Sequence, residues 1–541
     1  MPTAPFKYTN LWPALNRASF WLAVLIRVGE EYLLYRPSGD ALMQTATTFN
    51  MLRGHGISMT YLNWSDLGSL RYEKLAAWPP GFAWVLAVFL PNHATDGNIL
   101  AAQAAVYLLG LLLLFGSWWY MLRLLQPTLY PWAPAVFFLY WGISSTPFHL
   151  LHHTDLPALA CCTGGVACLL QQLATTSSPR RSLLVAMAIL SFAACLFRFA
   201  YYPLAFLPPL VLLLRWWRQP VERHAALGAL VLTGGLVGAL VVYQKFVAGN
   251  AFYLTEFYHD PAWHLHFSNL RQFVPFPIGA LLGVYQAPSL AGISLSCIVL
   301  GTVGLGVWHE DRATGLGHHR RLLFAVWSLV GAATVAVLIA LSLRYPPAMV
   351  TWFTGGRWTY VADPRYFGPA MLILTALLLL MVLSRRTPAR LRGMAAGLLA
   401  LAAVNALVLR AKDAAFLLRH PGPAAAFFAD KYERNTVDVR RAVNAIVQAQ
   451  RRGAVLLTTD TYAIRLRDAV TMRGGLAIPL DTLLRTPVRT TRPVTIFMAL
   501  GPGPITGTTA DFLRRHKAPP AMQLPTLHLQ LIPIYFSGPN E

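Results

Sequence analysis

Charge is what this 541-residue chain has least of. Asp, Glu, Lys and Arg together make up 12% of it, where a soluble domain carries about a quarter. With 56% hydrophobic residues over this length, that scarcity excludes a soluble enzyme, a disordered chain and a disulfide-stapled scaffold. It leaves a polytopic membrane protein. Acidic residues are the rarest: 22 against 44 Lys and Arg, a net charge of +22. Cysteine is also scarce. Cys161, Cys162, Cys168, Cys195 and Cys297 all lie in apolar runs and form no CxxC pair, which argues against disulfide staples and thiolate metal sites. They read as small packing residues.

What is present is a series of long apolar runs. A helix needs about 20 mostly apolar residues to cross a bilayer. The runs at 14–35, 97–122, 132–150, 156–173, 183–198, 199–214, 225–247, 289–308, 322–343, 366–383 and 393–410 predict eleven spans. The first is no cleavable signal: it contains Arg27, Glu30 and Glu31 and lacks a small-residue cleavage site. One set of loop ends holds fifteen basic residues against Glu222, Glu310 and Asp311. By the positive-inside rule that side is cytoplasmic. The N-terminus is then inside and the C-terminal segment outside. Ten of the thirteen acidic residues before position 411 fall on the outer side. The spans carry almost no charge at mid-depth, where an ion-coupled pump would place it. The positive balance is thus a topology signal, and nucleic acid is not an expected partner.

The predicted architecture is an all-α membrane domain, 1–410, with large outer loops at 36–96, 248–288 and 344–365. A small, basic, extracytoplasmic α/β domain follows at 411–541. In that segment Asn435–Arg451 reads as an amphipathic helix, Val455–Thr459, Val494–Leu500 and Leu527–Tyr535 as strands, and Asp511–His516 as helical. It contains no GxGxxG, GxxxxGK[ST] or GxSxG.

In the first outer loop, Asp40 to Arg53 predicts a short helix lying along the surface. Leu42, Ala46, Phe49 and Leu52 recur at helical spacing, and Gly54 and Gly56 end it. Trp78-Pro79-Pro80-Gly81 opens an apolar run to Leu90 that is too short to span comfortably; it reads as re-entrant or interfacial, and Phe276–Tyr285 has the same character. Asp40 has a bland reading as an N-cap and a functional one as a general base at the membrane surface. His152-His153-Thr154-Asp155 places three metal-ligand types in four residues, although Asp155 before Leu156-Pro157 is also an ordinary N-cap. Arg198, Lys245, Arg344 and Arg357 are explained by snorkelling.

The order of these features resembles the GT-C superfamily of integral membrane glycosyltransferases, of the aminoarabinose-transferase and O-mannosyltransferase kind. The resemblance rests on Asp40 to Gly56 after the first span, on Trp78-Pro79-Pro80, and on Asp363-Pro364-Arg365-Tyr366 opening a late span. It covers roughly residues 14–410 and leaves the C-terminal domain unidentified. It implies a polyprenyl-phosphate-linked sugar as donor and Asp40 as catalytic base, although the acidic pair or following Tyr usual in the family is absent from Asp40-Ala41-Leu42. It also implies Arg365 as the lipid-phosphate binder, with Lys74 a second candidate. An interfacial anchor is the plain account of Arg365, and an aromatic-belt residue that of Tyr366. Asp155, Glu73 and Tyr366 are candidates for lining the site or positioning the acceptor. A divalent ion on His152, His153 and Asp155 is the one cofactor the sequence admits. Asp66 reads as a solvated loop residue.

The expected reaction is an inverting transfer of sugar to an envelope glycan, lipid or protein at the outer face of a bacterial-type cytoplasmic membrane. The alternative is a polytopic transporter or flippase for a lipid-linked or small polar substrate. It predicts internal repeats and discontinuous helices at mid-depth, and no convincing repeat is found.

Overall fold

The computed structural model describes residues 11–34, 39–74, 78–91, 96–144, 154–174, 179–248, 267, 298–306, 326–327, 330–331, 368–419, 437–459, 466, 470–471, 475–501, 503–525 and 529–537. It is mostly helical, with one small sheet domain. By its contacts the chain divides into two units. One takes Met1–Gly29, Val106–Lys245 and Ala251–Ala414; the other takes Glu30–Ala105, Phe246–Asn250 and Ala415–Glu541. The first outer loop therefore shares a unit with the C-terminal segment.

The helices of the first unit follow the apolar runs. They are the first part of α1 (Leu11–Leu34), the rest of α4 (Asp96–Leu125), α5 (Ala133–Ile143), α6 (Asp155–Ala174), α7 (Arg181–Phe197), α8 (Leu207–Arg215), α9 (Pro220–Ala248), α10 (Gly368–Leu383) and most of α11 (Ala389–Arg419). Among the described residues, Ala101–Thr128, Asp155–Ala174, Pro220–Val247 and Ala389–Lys412 are long and apolar enough to cross a membrane; Ala133–Ile143, Arg181–Phe197, Phe199–Arg215 and Pro369–Leu383 are shorter apolar helices. The runs expected at 289–308 and 322–343, and the segment Phe276–Tyr285, lie mostly or wholly outside the described residues.

Packing in this unit is aromatic. Trp118 stacks on Trp327 with centroids 5.2 Å apart, and Phe115, Phe137, Phe138 and Trp141 close around it. Arg27, a charge inside the first apolar run, is buried. Its Nε donates to the Trp141 carbonyl at 2.8 Å and its Nη2 to that of Ser144. Arg410 donates to the carbonyls of Ile143 and Gly142 at 3.1 and 3.2 Å. Two guanidinium groups thus satisfy the orphan carbonyls at the C-terminus of α5, where the helix dipole favours cations.

The second unit holds a five-stranded sheet in the order β4–β3–β5–β7–β6. Its strands are β3 (Ala454–Thr459), β4 (Leu476–Pro479), β5 (Val494–Leu500), β6 (Met522–Leu524) and β7 (Leu529–Phe536). β3 lies parallel to β4 and β5, with Leu456 opposite Leu476 and Ile496; β7 is antiparallel to β5 and to β6. All seven residues of β5 are buried, as a central strand covered on both faces must be. One face packs Val455, Leu457, Phe497 and Ala499 against Ala442 and Ile446 of α12 (Val437–Gln450). The other packs Leu456, Ile496 and Ile534 with Leu483 of α13 (Leu480–Arg485) and Phe512 of α14 (Gly507–Arg515). Leu67, 387 residues before the first strand of this sheet in sequence, completes that second face and is 1% exposed.

Leu67 is held there by its neighbours. Its N–H donates to the Arg489 carbonyl at 2.8 Å. The Asp66 carboxylate accepts from the N–H of Thr491 at 2.9 Å, from its hydroxyl, and from the N–H of Gly68 at 3.1 Å. A Cβ on Gly68 would collide with Thr490 Oγ1 and the Arg492 carbonyl, so glycine is required for this approach. Asp66 is therefore a fastening rather than the solvated loop residue expected.

Candidate functional site

The first loop builds a buried polar cluster. Helix α2 (Gly39–Leu52) starts with Asp40 in its first turn; the Asp40 side chain is outside the described residues. Gly54 and Gly56 follow its end with φ of +85° and +69°, conformations glycine adopts without strain. The helix was expected to lie along the surface. Instead it is buried from Ala41 to Asn50, Met43 alone excepted. Leu42, Ala46 and Phe49 fill an apolar face, as their spacing dictates. The opposite, polar face is enclosed as well: α3 (Gly81–Phe89) packs on the helix, and Gln103 of α4 bonds to Thr45.

Enclosure demands partners for polar atoms, and most have them. Asn50 Nδ2 donates to the Ser58 carbonyl at 2.9 Å and to Thr60 Oγ1 at 3.0 Å. These bonds fix the hairpin of β1 (Ser58–Tyr61) and β2 (Arg71–Lys74) against the helix. The hydroxyls of Thr47 and Thr48 donate to the carbonyls of Met43 and Gln44, one turn back, at 2.9 and 2.8 Å. Gln103 Nε2, on α4, donates to Thr45 Oγ1 at 3.0 Å. Two glutamines are the exceptions: among the described residues Gln103 Oε1 has no hydrogen-bond partner, and Gln44, 1% exposed, has none at either Nε2 or Oε1. An unmade bond of this kind costs about 1–3 kcal/mol per group.

Glu73 and Lys74 lie on β2, opposite Met59 and Ser58, and both are exposed. Tyr72 between them and Arg71 stacks on His55, with centroids 3.7 Å apart. Burial and then Arg53 push the His55 pKa down. Burial raises Tyr72 against the pull of Arg53 and Arg492, and burial with the Glu73 charge raises Tyr61.

Asp155 stands in the first turn of α6 and is buried. Both its oxygens are engaged: Arg198 Nε donates to Oδ1 and Nη2 to Oδ2, each at 2.7 Å. This is the bidentate geometry that makes arginine–carboxylate pairs strong. Arg198, read from sequence as a snorkelling residue, is 9% exposed. The hydroxyl of Tyr201 is buried too and has no hydrogen-bond partner among the described residues. The signal that could have found the pair is topological. α6 and α7 form an antiparallel hairpin, so the residue just past the end of α7 returns to the start of α6.

His152, His153, Arg365 and Tyr366 lie outside the described residues. Among the described residues, three or more His, Cys, Asp or Glu do not gather into a metal-binding group. The Asp155 carboxylate would have to leave Arg198 to serve as a metal ligand.

No family model and no curated protein matches the sequence. Solved structures do. The apo oligosaccharyltransferase of Archaeoglobus fulgidus matches at 11% identity and a TM-score of 0.42, over 88% of this chain and 65% of that one. The same enzyme tethered to an acceptor peptide with an NVT sequon matches at 11% and 0.39, over 87% and 64%. The oligosaccharyltransferase AglB of that organism, in complex with an inhibitory peptide and a dolichol-phosphate, matches at 12% and 0.42, over 91% and 70%. The chain thus spans less than two thirds of the length of the first two. Likenesses of this size assign no activity to it.

Proposed function

We propose that the protein is an inverting GT-C-type glycosyltransferase that moves a sugar from a polyprenyl-phosphate donor to a cell-envelope acceptor. The reaction takes place at the outer face of a bacterial-type cytoplasmic membrane. The observation that carries this reading is α2: a helix opening on Asp40 that is buried on its polar face as well as its apolar one, with the Gln44 amide left unpaired among the described residues. A scaffold or anchor has no use for such a face, whereas a site that must exclude water does.

In the proposed reaction an acceptor hydroxyl attacks the anomeric carbon. The carbon–oxygen bond to the lipid phosphate breaks, and the phosphate leaves with the electron pair. The Asp40 carboxylate takes the acceptor's proton. A phosphate is a stable anion, so its departure needs cations rather than an acid. The resemblance offers Arg365 for it, with Lys74 as a second candidate, and Asp155, Glu73 and Tyr366 as lining residues. The donor's isoprenoid stays in the bilayer. No step is assigned to a metal on His152, His153 and Asp155.

The test is Asp40→Asn in the full-length chain. We expect normal membrane insertion and loss of sugar transfer by at least a hundredfold, with the polyprenyl-phosphate sugar still detected by mass spectrometry of the purified protein. Full turnover by Asp40→Asn rejects the base. A purified chain that carries free phospholipid only and moves substrate across vesicles favours the transporter.

A further inference from the structure

We infer that Gln44 is the residue that reads a hydroxyl of the transferred sugar. The inference deepens the proposed function and rests on it.

The argument starts from which polar groups the fold satisfies. On the polar face of α2, Thr47 and Thr48 spend their hydroxyls on carbonyls of their own helix. Asn50 spends its amide on the hairpin. Each is a finished structural contact. Gln44 is as deeply buried as they are, yet both ends of its amide are unspent. A long side chain with one donor end and one acceptor end could be replaced by Leu or Met if it served packing alone. Keeping an unpaired amide in an enclosed position is costly, and a ligand that completes the bonds recovers that cost when it binds.

Its place says which ligand. Gln44 follows Asp40 by four residues, one helical turn, and so lies on the same face of α2. Positions so spaced are about 6 Å apart along the helix surface, comparable to the width of a pyranose ring. A group one turn from the base at the reacting centre is within reach of the hydroxyls on the same ring. An amide suits them: its N–H donates to a hydroxyl oxygen and its oxygen accepts the hydroxyl proton. It also suits a neutral group better than the lipid phosphate, which calls for a cation. A site built to bond a hydroxyl rejects the analogue lacking it. Gln44 is therefore a specificity-determining residue, not the base.

The experiment compares wild type, Gln44→Leu, Gln44→Asn and Asp40→Asn as full-length protein. The donors are short-chain polyprenyl-phosphate hexoses and pentoses, with the monodeoxy analogues of the one turned over. We expect wild type to prefer the parent sugar over one particular deoxy analogue by about tenfold in kcat/KM. Gln44→Leu should lose that preference at that position alone, and Gln44→Asn should restore part of it. Gln44→Leu without substrate should melt no lower than wild type, since it removes an unpaired buried amide.

Three results overturn the inference. The first is full discrimination at every position by Gln44→Leu. The second is a melting temperature several degrees below wild type without substrate, which marks a structural amide. The third is a rise in acceptor KM with donor discrimination intact, which assigns the amide to the other substrate. Failure of the transferase reading shows separately, as full turnover by Asp40→Asn.

Discussion

Asp155→Ala is the perturbation whose cost the structure defines best. The carboxylate meets the Arg198 guanidinium through two parallel bonds of 2.7 Å, and the two side chains are 7% and 10% exposed. Removing the carboxylate leaves a buried guanidinium without it, and breaking such a pair costs about 3–5 kcal/mol. The pair's own net contribution is far smaller, because two charges were taken out of water to form it. Replacing both partners by apolar residues, Asp155→Leu with Arg198→Met, should therefore return stability to within about 1–2 kcal/mol of wild type. Reversible unfolding in mixed SDS and detergent micelles, on both single variants and the double, measures this. If Asp155 lines the transfer site, the double variant regains stability and stays inactive. Single variants within 1 kcal/mol of wild type would refute the reasoning, as would a double variant damaged by the sum of the singles. Either result would mean that the pair is solvated rather than enclosed.

Two further predictions concern the fastening of the first loop. Leu67→Ala removes a side chain that is 1% exposed in the sheet core and should cost about 2–5 kcal/mol, read from the unfolding of the sheet domain. The fastening should also depend on pH. Burial is the largest single influence and raises the Asp66 pKa, but the bonds from Thr491 and Gly68 and the Arg492 charge together outweigh it and hold the carboxyl below its ordinary 3.8. A depressed pKa stabilises above the unfolded value and loses that contribution as pH falls through the folded one. Exchange protection of the Gly68 and Thr491 amides, corrected for intrinsic rates, should hold from pH 7 to about 5 and fall below pH 4, and Asp66→Asn should abolish the change. Protection that persists unchanged at pH 3 would contradict it.

Much of the element pattern is legible along the chain. The apolar runs at 156–173 and 183–198 become α6 and α7 to within two residues. Val494–Leu500 is a strand with the predicted bounds, and Asn435–Arg451 contains α12. Periodicity and run length decide such elements, and both are local. The surface placement of α2 was misread for the same reason. Gln44, Thr45, Thr47 and Thr48 look like a solvated face until the hairpin and α4 are brought over them. β4 and β6 went unread because they are four and three residues long, too short for an alternation to register.

The amino-acid order by itself carried the composition of a membrane protein, marked the apolar helices seen among the described residues, and set a helix-and-strand segment after them, because burial in lipid or in a sheet leaves its mark residue by residue. It also offered Asp40 and Asp155 as candidates. Only the tertiary structure decided that Arg198 closes on Asp155, that Asp66, Leu67 and Gly68 are seated more than 400 residues away against Arg489 to Arg492, and that one amide on α2 is sealed in without a partner. Each of these depends on distant parts of the chain coming together, and a charge, a leucine or an amide carries no local sign of what it will meet.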